Sequence, residues 1–235
     1  MLRSTAVRGS ALLIGALCFA GSLGLAGQAA AATGKTCANL QGTVITSTAT
    51  VKIVSQPRNS SAFKGRVYLG CVRPSGRAFV IGRNGTSPGD GGTVTFTYAR
   101  RALAGKYVVV SSSVDEGPGA FNTSTQRVFD LASGTARTFY TFTLAEGECT
   151  QENRTLGPPG RLVLGTNGIL AGVFVSDDAK CFTSDDEKRI RVSVPGRPLA
   201  TVDTARIRDI PSASLRLQGR VVSWTKAGQP MTFAG

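Results

Sequence analysis

Apolar residues along this chain come in short runs, and many runs alternate with polar ones. In Thr93–Tyr98, Val94, Phe96 and Tyr98 fall on one side and Thr93, Thr95 and Thr97 on the other. A period of two marks a strand with one face buried. Similar runs cover 48–54, 66–72, 106–110, 127–131, 136–142, 161–164, 169–175, 189–194, 214–217 and 220–225. No segment after the first thirty residues carries a helical stripe. Glycine-bearing turns separate the runs, among them Ser75-Gly76, Ser133-Gly134, Asn167-Gly168, Pro195-Gly196, Gln218-Gly219 and Ala227-Gly228. Glycine supplies the positive φ that tight hairpins need. The predicted fold class is all-β, built from small antiparallel sheets.

Four segments align as strand, glycine turn, strand: 68–80, 126–138, 188–200 and 220–232. Repeated small antiparallel sheets suit a propeller-like array of about four units; a β-sandwich or irregular barrel is the alternative. The segment Arg127-Val-Phe-Asp-Leu-Ala-Ser-Gly134 resembles the strand–turn segment of short β-propeller repeats, the tryptophan–aspartate type included. Over 66–235 the chain is similar to a group of exported actinobacterial proteins of unknown function. They end in a motif like Ala213-Ser-Leu-Arg-Leu-Gln-Gly-Arg-Val-Val-Ser-Trp224. The full Gly-His…Trp-Asp signature is absent, and Thr225 follows Trp224. Trp224, Tyr107, Phe129 and Phe174 each lie inside a strand run and are expected in the core.

The first 32 residues break the β pattern. Arg3 and Arg8 precede an apolar stretch, Ala11 to Gly27, which ends in the alanine run Ala29 to Ala32. That order predicts a secretory signal peptide over 1–32, cleaved after Ala31 or Ala32, and a single mature β domain over 33–235. The apolar stretch is too short and glycine-rich for a membrane span. Bulky Leu17 before Cys18 argues against lipidation, so Cys18 belongs to the signal. The expected location is the cell envelope or the outside of the cell, with no transmembrane segment in the mature chain.

Export changes the meaning of the remaining cysteines, Cys37, Cys71, Cys149 and Cys181. An even set in an exported chain reads as disulfides. Of three possible pairings, proximity along the chain favours Cys37–Cys71 and Cys149–Cys181. A zinc site lacks both a CxxC pair and any histidine.

The chain has 27 Lys+Arg, 14 Asp+Glu and no His among 235 residues, for a formal charge of +13. The charge is uneven: residues 146–187 carry −5 and the rest of 33–235 carries +16. A basic surface suits an anionic cell-wall polymer or polysaccharide. Nucleic acid fits less well, because no recognition motif is present and aromatics interleaved with Arg are sparse. Within the acidic segment, Asp177, Asp178, Asp185, Asp186 and Glu187 could offer hard oxygens to calcium, but no D-x-D-x-D loop is present and a solvated acidic loop is the favoured reading. No metal or cofactor is therefore assigned.

The missing histidine removes every Ser-His-Asp and Cys-His arrangement. Gly85-Thr-Ser87-Pro-Gly89 matches a nucleophile elbow only in letters, being set in a Gly- and Pro-rich loop with no base. Ser61-Ala-Phe-Lys64 matches S-x-x-K without its companion elements. A hydrolase working through carboxylates alone stays open as the alternative, with Asp115, Glu116, Asp130 and Asp203 as candidates. The Asn-x-Ser/Thr sites at Asn59, Asn84, Asn122 and Asn153 are expected on surface loops. The leading expectation is a non-catalytic binding or scaffolding β domain.

Overall fold

The computed structural model describes residues 28–29, 32–89, 92–116, 122–144, 160–175 and 187–235. Within them the fold is all-β, with several antiparallel sheets, none closed. Of the expected signal segment 1–32 only Gln28, Ala29 and Ala32 are described; Cys149, Cys181 and the acidic residues from 146 to 186 lie outside the described residues.

The largest sheet is a meander. Its strands are β1 (Gln28–Ala29), β2 (Ala32–Thr36), β3 (Thr43–Ser47), β4 (Val51–Ser60), β5 (Phe63–Val72), β6 (Arg77–Gly89), β7 (Gly92–Ala104), β8 (Tyr107–Asp115), β9 (Asn122–Asp130) and β10 (Thr135–Leu144). Strands β3 to β10 pair in sequence order, β1 adds to β10, and β2 pairs with β6. Antiparallel pairing of strands that follow one another along the chain makes this the simplest topology.

The meander folds on itself. Val51, Ile53 and Ile81 from its first half share a buried core with Val108, Val110, Phe129 and Leu131 from its second. Tyr68 of β5 stacks on Tyr98 of β7, with ring centroids 3.8 Å apart and planes 14° from parallel. The outer face of β4 and β5 is covered by the Cys37–Leu40 turn. There Cys37 bonds Cys71, as the spacing predicted, with Cα atoms 5.5 Å apart.

Two smaller sheets extend the stack. The strands β11 (Arg161–Leu164), β12 (Leu170–Val175), β13 (Glu187–Ser193) and β14 (Ala200–Arg206) form one; β15 (Arg216–Gln218), β16 (Val221–Lys226) and β17 (Gln229–Ala234) form the other. The apolar run of β12 has a physical reason: both of its faces are buried. Leu170 and Phe174 pack against Tyr107, Val109, Val128 and Phe139 of the meander. Ala171 and Val173 face Val222 and Trp224 of the last sheet. Arg137 of β10 pins the meander to the middle sheet, donating to Ser193 Oγ at 2.8 Å and to the Gly168 carbonyl at 2.6 Å. Burial lowers the Arg137 pKa. All four aromatic residues expected in the core are there: Phe174, Trp224, Phe129 and Tyr107 are buried.

The stretch 84–89 corrects the sequence reading. It is not a loop; Asn84–Gly89 continues β6 and pairs with both β5 and β7. Gly65 and Gly85 lie directly opposite each other, with φ of 153° and 151°. A Cβ on either would meet the other strand's backbone, so glycine here permits close approach of two strands rather than a turn. Asn59 and Asn84 are accordingly exposed strand positions in β4 and β6, not loop residues, and Asn122 opens β9. Asn153 lies outside the described residues.

Candidate functional site

The folding of the meander leaves a cleft of about 370 Å³ between its halves. Its origin is a fork. Strands β6 and β7 pair only from Gly85↔Phe96 to Gly89↔Gly92. Before Gly85, β6 continues beside β5, whereas β7 follows β8. A register shift in β6, where Tyr68 faces Gly82 but Leu69 faces Val80, inserts an extra residue and bends the strand. Gly82 then accepts the Tyr98 ring, since any Cβ there would collide with it.

Cross-strand pairing fixes what faces inward. Val108↔Phe129, Val110↔Arg127 and Ser112↔Thr125 are opposite pairs on β8 and β9. Opposite residues share a face, and that face carries the interlayer core. The cleft thus has an apolar floor of Ile81, Val110 and Phe129 and a polar wall of Ser112, Thr125 and Arg127.

Arg127 is the unusual member. Its Nε is shut off from solvent and has no hydrogen-bond partner among the described residues. Leaving a buried donor unpaired costs about 1–3 kcal/mol, more for a charged group. The Tyr98 hydroxyl, one strand over and in the same row as Ser112 and Thr125, is also buried and unpartnered among the described residues. Burial pushes the Tyr98 phenol up to about 12, against a smaller opposing pull from Arg100. It stays protonated and able to donate at neutral pH. Two other cations stand nearby: Arg100 donates to Thr46 Oγ1, and Arg83, which also lines the cleft, holds its guanidinium over the Phe63 ring, 5.8 Å from its centroid. Among the described residues no carboxylate lines the cleft.

The carboxylates named from sequence do not converge. Asp115 sits at the end of β8, and Asp130 lies across from Tyr107 at the other end. Eight strand residues separate those two ends, roughly 27 Å at the usual rise per residue. Glycosidase pairs stand about 5–9.5 Å apart. Glu116 follows Asp115 and is exposed. Asp130 has structural tasks: it pairs with Lys106 at 2.8 Å and accepts the Ala132 amide at 2.9 Å within the β9–β10 turn. The hydrogen bond to Asp130 raises the Lys106 pKa. Asp203 belongs to β14, where it binds Trp224 and Lys226.

Other candidates resolve similarly. Ser87 donates to the Ala62 carbonyl at 2.6 Å from within a strand, so it occupies no strand-to-helix elbow. Ser61 is in the β4–β5 turn and Lys64 in β5. Of the proposed calcium ligands, Glu187 opens β13 and contacts Arg189 at 3.4 Å; Asp177, Asp178, Asp185 and Asp186 lie outside the described residues. Among the described residues no helix is long and apolar enough to cross a membrane.

Sequence reasoning passed over Arg127 as a site residue. A signal was available. Arg127 shares strand parity with Phe129 and Leu131, so a charged group stands where the period-two pattern demands an apolar one.

No family model, curated protein or solved structure matches the chain.

Proposed function

We propose that the protein is a non-catalytic binding domain that works at the cell surface or outside the cell, reached through a cleaved signal peptide over 1–32. Its partner in this reading is an anionic wall polymer or polysaccharide. The observation that carries the reading is Arg127: a guanidinium on the wall of an open cleft, with its Nε–H unpaired among the described residues. An anionic group entering the cleft would meet the positive charge of that guanidinium. The overall excess of basic residues would draw such a polymer to the surface before any specific contact forms. In the same reading, the strand groups β3–β6, β7–β10, β11–β14 and β15–β17 are the four units of a propeller-like array with an open ring.

Retention on isolated bacterial cell walls tests this. The protein is expected to bind at low ionic strength and to elute as salt screens the contacts. No retention at low salt, or retention indifferent to salt, contradicts the reading.

A further inference from the structure

Resting on that binding reading, we infer that the cleft takes a phosphate ester group of the polymer, held between Arg127 on one arm of the fork and Arg83 on the other.

Both arginines line the cleft, and they come from different walls. Arg83 belongs to β6, which runs beside β5 there; Arg127 belongs to β9, on the arm built from β7, β8 and β9. Arg127 is half-buried and Arg83 is exposed, so one cation stands deeper than the other. Each keeps donors for a ligand. The Nε of Arg127 is closed to solvent, so the edge made by its two terminal amino groups is the one left to an incoming oxygen. Phe63 meets the Arg83 guanidinium with its ring face, a contact that uses none of the N–H donors.

The ligand class follows from two guanidinium groups on two walls. A carboxylate has its oxygens in one plane and is matched by a single planar guanidinium. A phosphate is tetrahedral: its free oxygens diverge from phosphorus and accept from cations that approach from different sides. A monoester, with a charge of about −1.5 to −2, also matches two cations where a carboxylate matches one. Ser112 and Thr125 form the next opposite pair along the wall from Arg127 and offer hydroxyl donors. No carboxylate among the described lining residues opposes the charge. The apolar floor of Ile81, Val110 and Phe129 suits the C–H surface of the sugar or glycerol unit that carries the phosphate. A volume of about 370 Å³ is at the small end of ligand sites and fits one such unit.

The test titrates the full-length mature protein, ¹⁵N-labelled, with glycerol 3-phosphate, glycerophosphoglycerol, glucuronic acid and glycerol at constant ionic strength, followed by amide chemical shifts. Wall retention is measured on the same samples. Glycerol 3-phosphate is expected to shift the Arg83, Ser112 and Thr125 amides saturably, with glucuronic acid about tenfold weaker and glycerol silent. The diester should fall between the two; a diester that binds more tightly than the monoester keeps the phosphate assignment and makes the ligand an in-chain unit rather than a chain end. Arg83→Ala, at an exposed position, should keep a native-like spectrum. It should weaken glycerol 3-phosphate about tenfold and change glucuronic acid binding less than about twofold, because only the phosphate uses both cations. Arg127→Ala should weaken both. Glucuronic acid binding as tightly as glycerol 3-phosphate, or Arg83→Ala leaving phosphate binding unchanged, overturns the phosphate assignment and leaves the binding reading standing. So does salt-sensitive wall retention with no cleft shifts from any probe. Absence of both retention and cleft shifts overturns both.

Discussion

The indole Nε1 of Trp224 donates to Asp203 Oδ2 at 2.7 Å, while Lys226 Nζ holds Oδ1 of the same carboxylate at 2.6 Å. This joins β16 of the last sheet to β14 of the middle sheet beside their shared core. The Thr204 amide donates to Oδ1 as well. Burial alone would raise the Asp203 pKa, but the hydrogen bonds from Lys226, Trp224 and the Thr204 amide, with the Lys226 charge, outweigh it and the pKa is lowered.

That geometry sets an acid dependence. A carboxyl whose folded pKa is depressed stabilises the fold above its unfolded pKa, near 3.9. The contribution is lost as pH falls through the lower folded value. Asp203→Asn, which keeps the size but not the charge, should lower stability at pH 7 by about 1–3 kcal/mol. Urea unfolding at pH 7 and at pH 3 checks this, and the difference between wild type and variant should shrink at the lower pH. An equal difference at both values would place the effect elsewhere.

At the alkaline end the same logic runs in reverse through Tyr98. Its folded pKa is raised to about 12 by burial, against 10.0 for the free phenol. Its contribution is intact below pH 10 and falls away as pH rises toward 12, by roughly 2 kcal/mol at about 1.4 kcal/mol per unit. Tyr98→Phe should remove that alkaline sensitivity. It should also leave neutral-pH stability unchanged or slightly raised, since the hydroxyl has no partner among the described residues. Stability curves from pH 8 to 12 for both proteins measure it.

Gly82→Ala attacks the fork that makes the cleft. The new methyl would occupy space the Tyr98 ring fills, and Tyr98 is itself held against Tyr68. Overpacking of this kind costs about 1–3 kcal/mol. Thermal unfolding should show it, together with loss of the near-ultraviolet circular dichroism from the stacked tyrosines. A pair Gly82→Ala/Tyr98→Ala should recover part of the loss.

The Cys37–Cys71 bond closes a loop with a sequence separation of 34. In the chain-entropy account it should contribute about 3–4 kcal/mol. The double variant Cys37→Ser/Cys71→Ser is expected to lower the unfolding free energy read from urea titration by that amount. It should also loosen the packing of Leu40, Val54 and Leu69, which share the bond's core.

Several of these features were open to reading from residues alone, and the reasons differ. The alternation of Val94, Phe96 and Tyr98 announced β7 because one of its faces is buried and the other wet. The run from Ile169 to Val175 announced β12 because both faces are buried, though not what each face would meet. Chain proximity pointed to Cys37–Cys71. The 84–89 stretch misled because Gly and Pro usually break strands. There Gly85 serves a close strand crossing with Gly65, a relationship 20 positions away that no local pattern carries. The cleft escaped for the same reason: it arises from one inserted residue in β6 and from the meeting of Tyr68 with Tyr98 across the fold. Asp203 looked catalytic by type, and only its contacts with Trp224 and Lys226 show a structural task.

The central claim is that binding runs through the Arg127 cleft rather than through basic charge at large. Retention on isolated cell walls at low salt tests it most directly, comparing Arg127→Ala with Arg197→Ala. Arg197 is exposed in the β13–β14 turn, so both variants lose one positive charge, but only one alters the cleft. The account predicts at least a tenfold loss of retention for Arg127→Ala and less than a twofold change for Arg197→Ala. Equal losses in the two variants would contradict it.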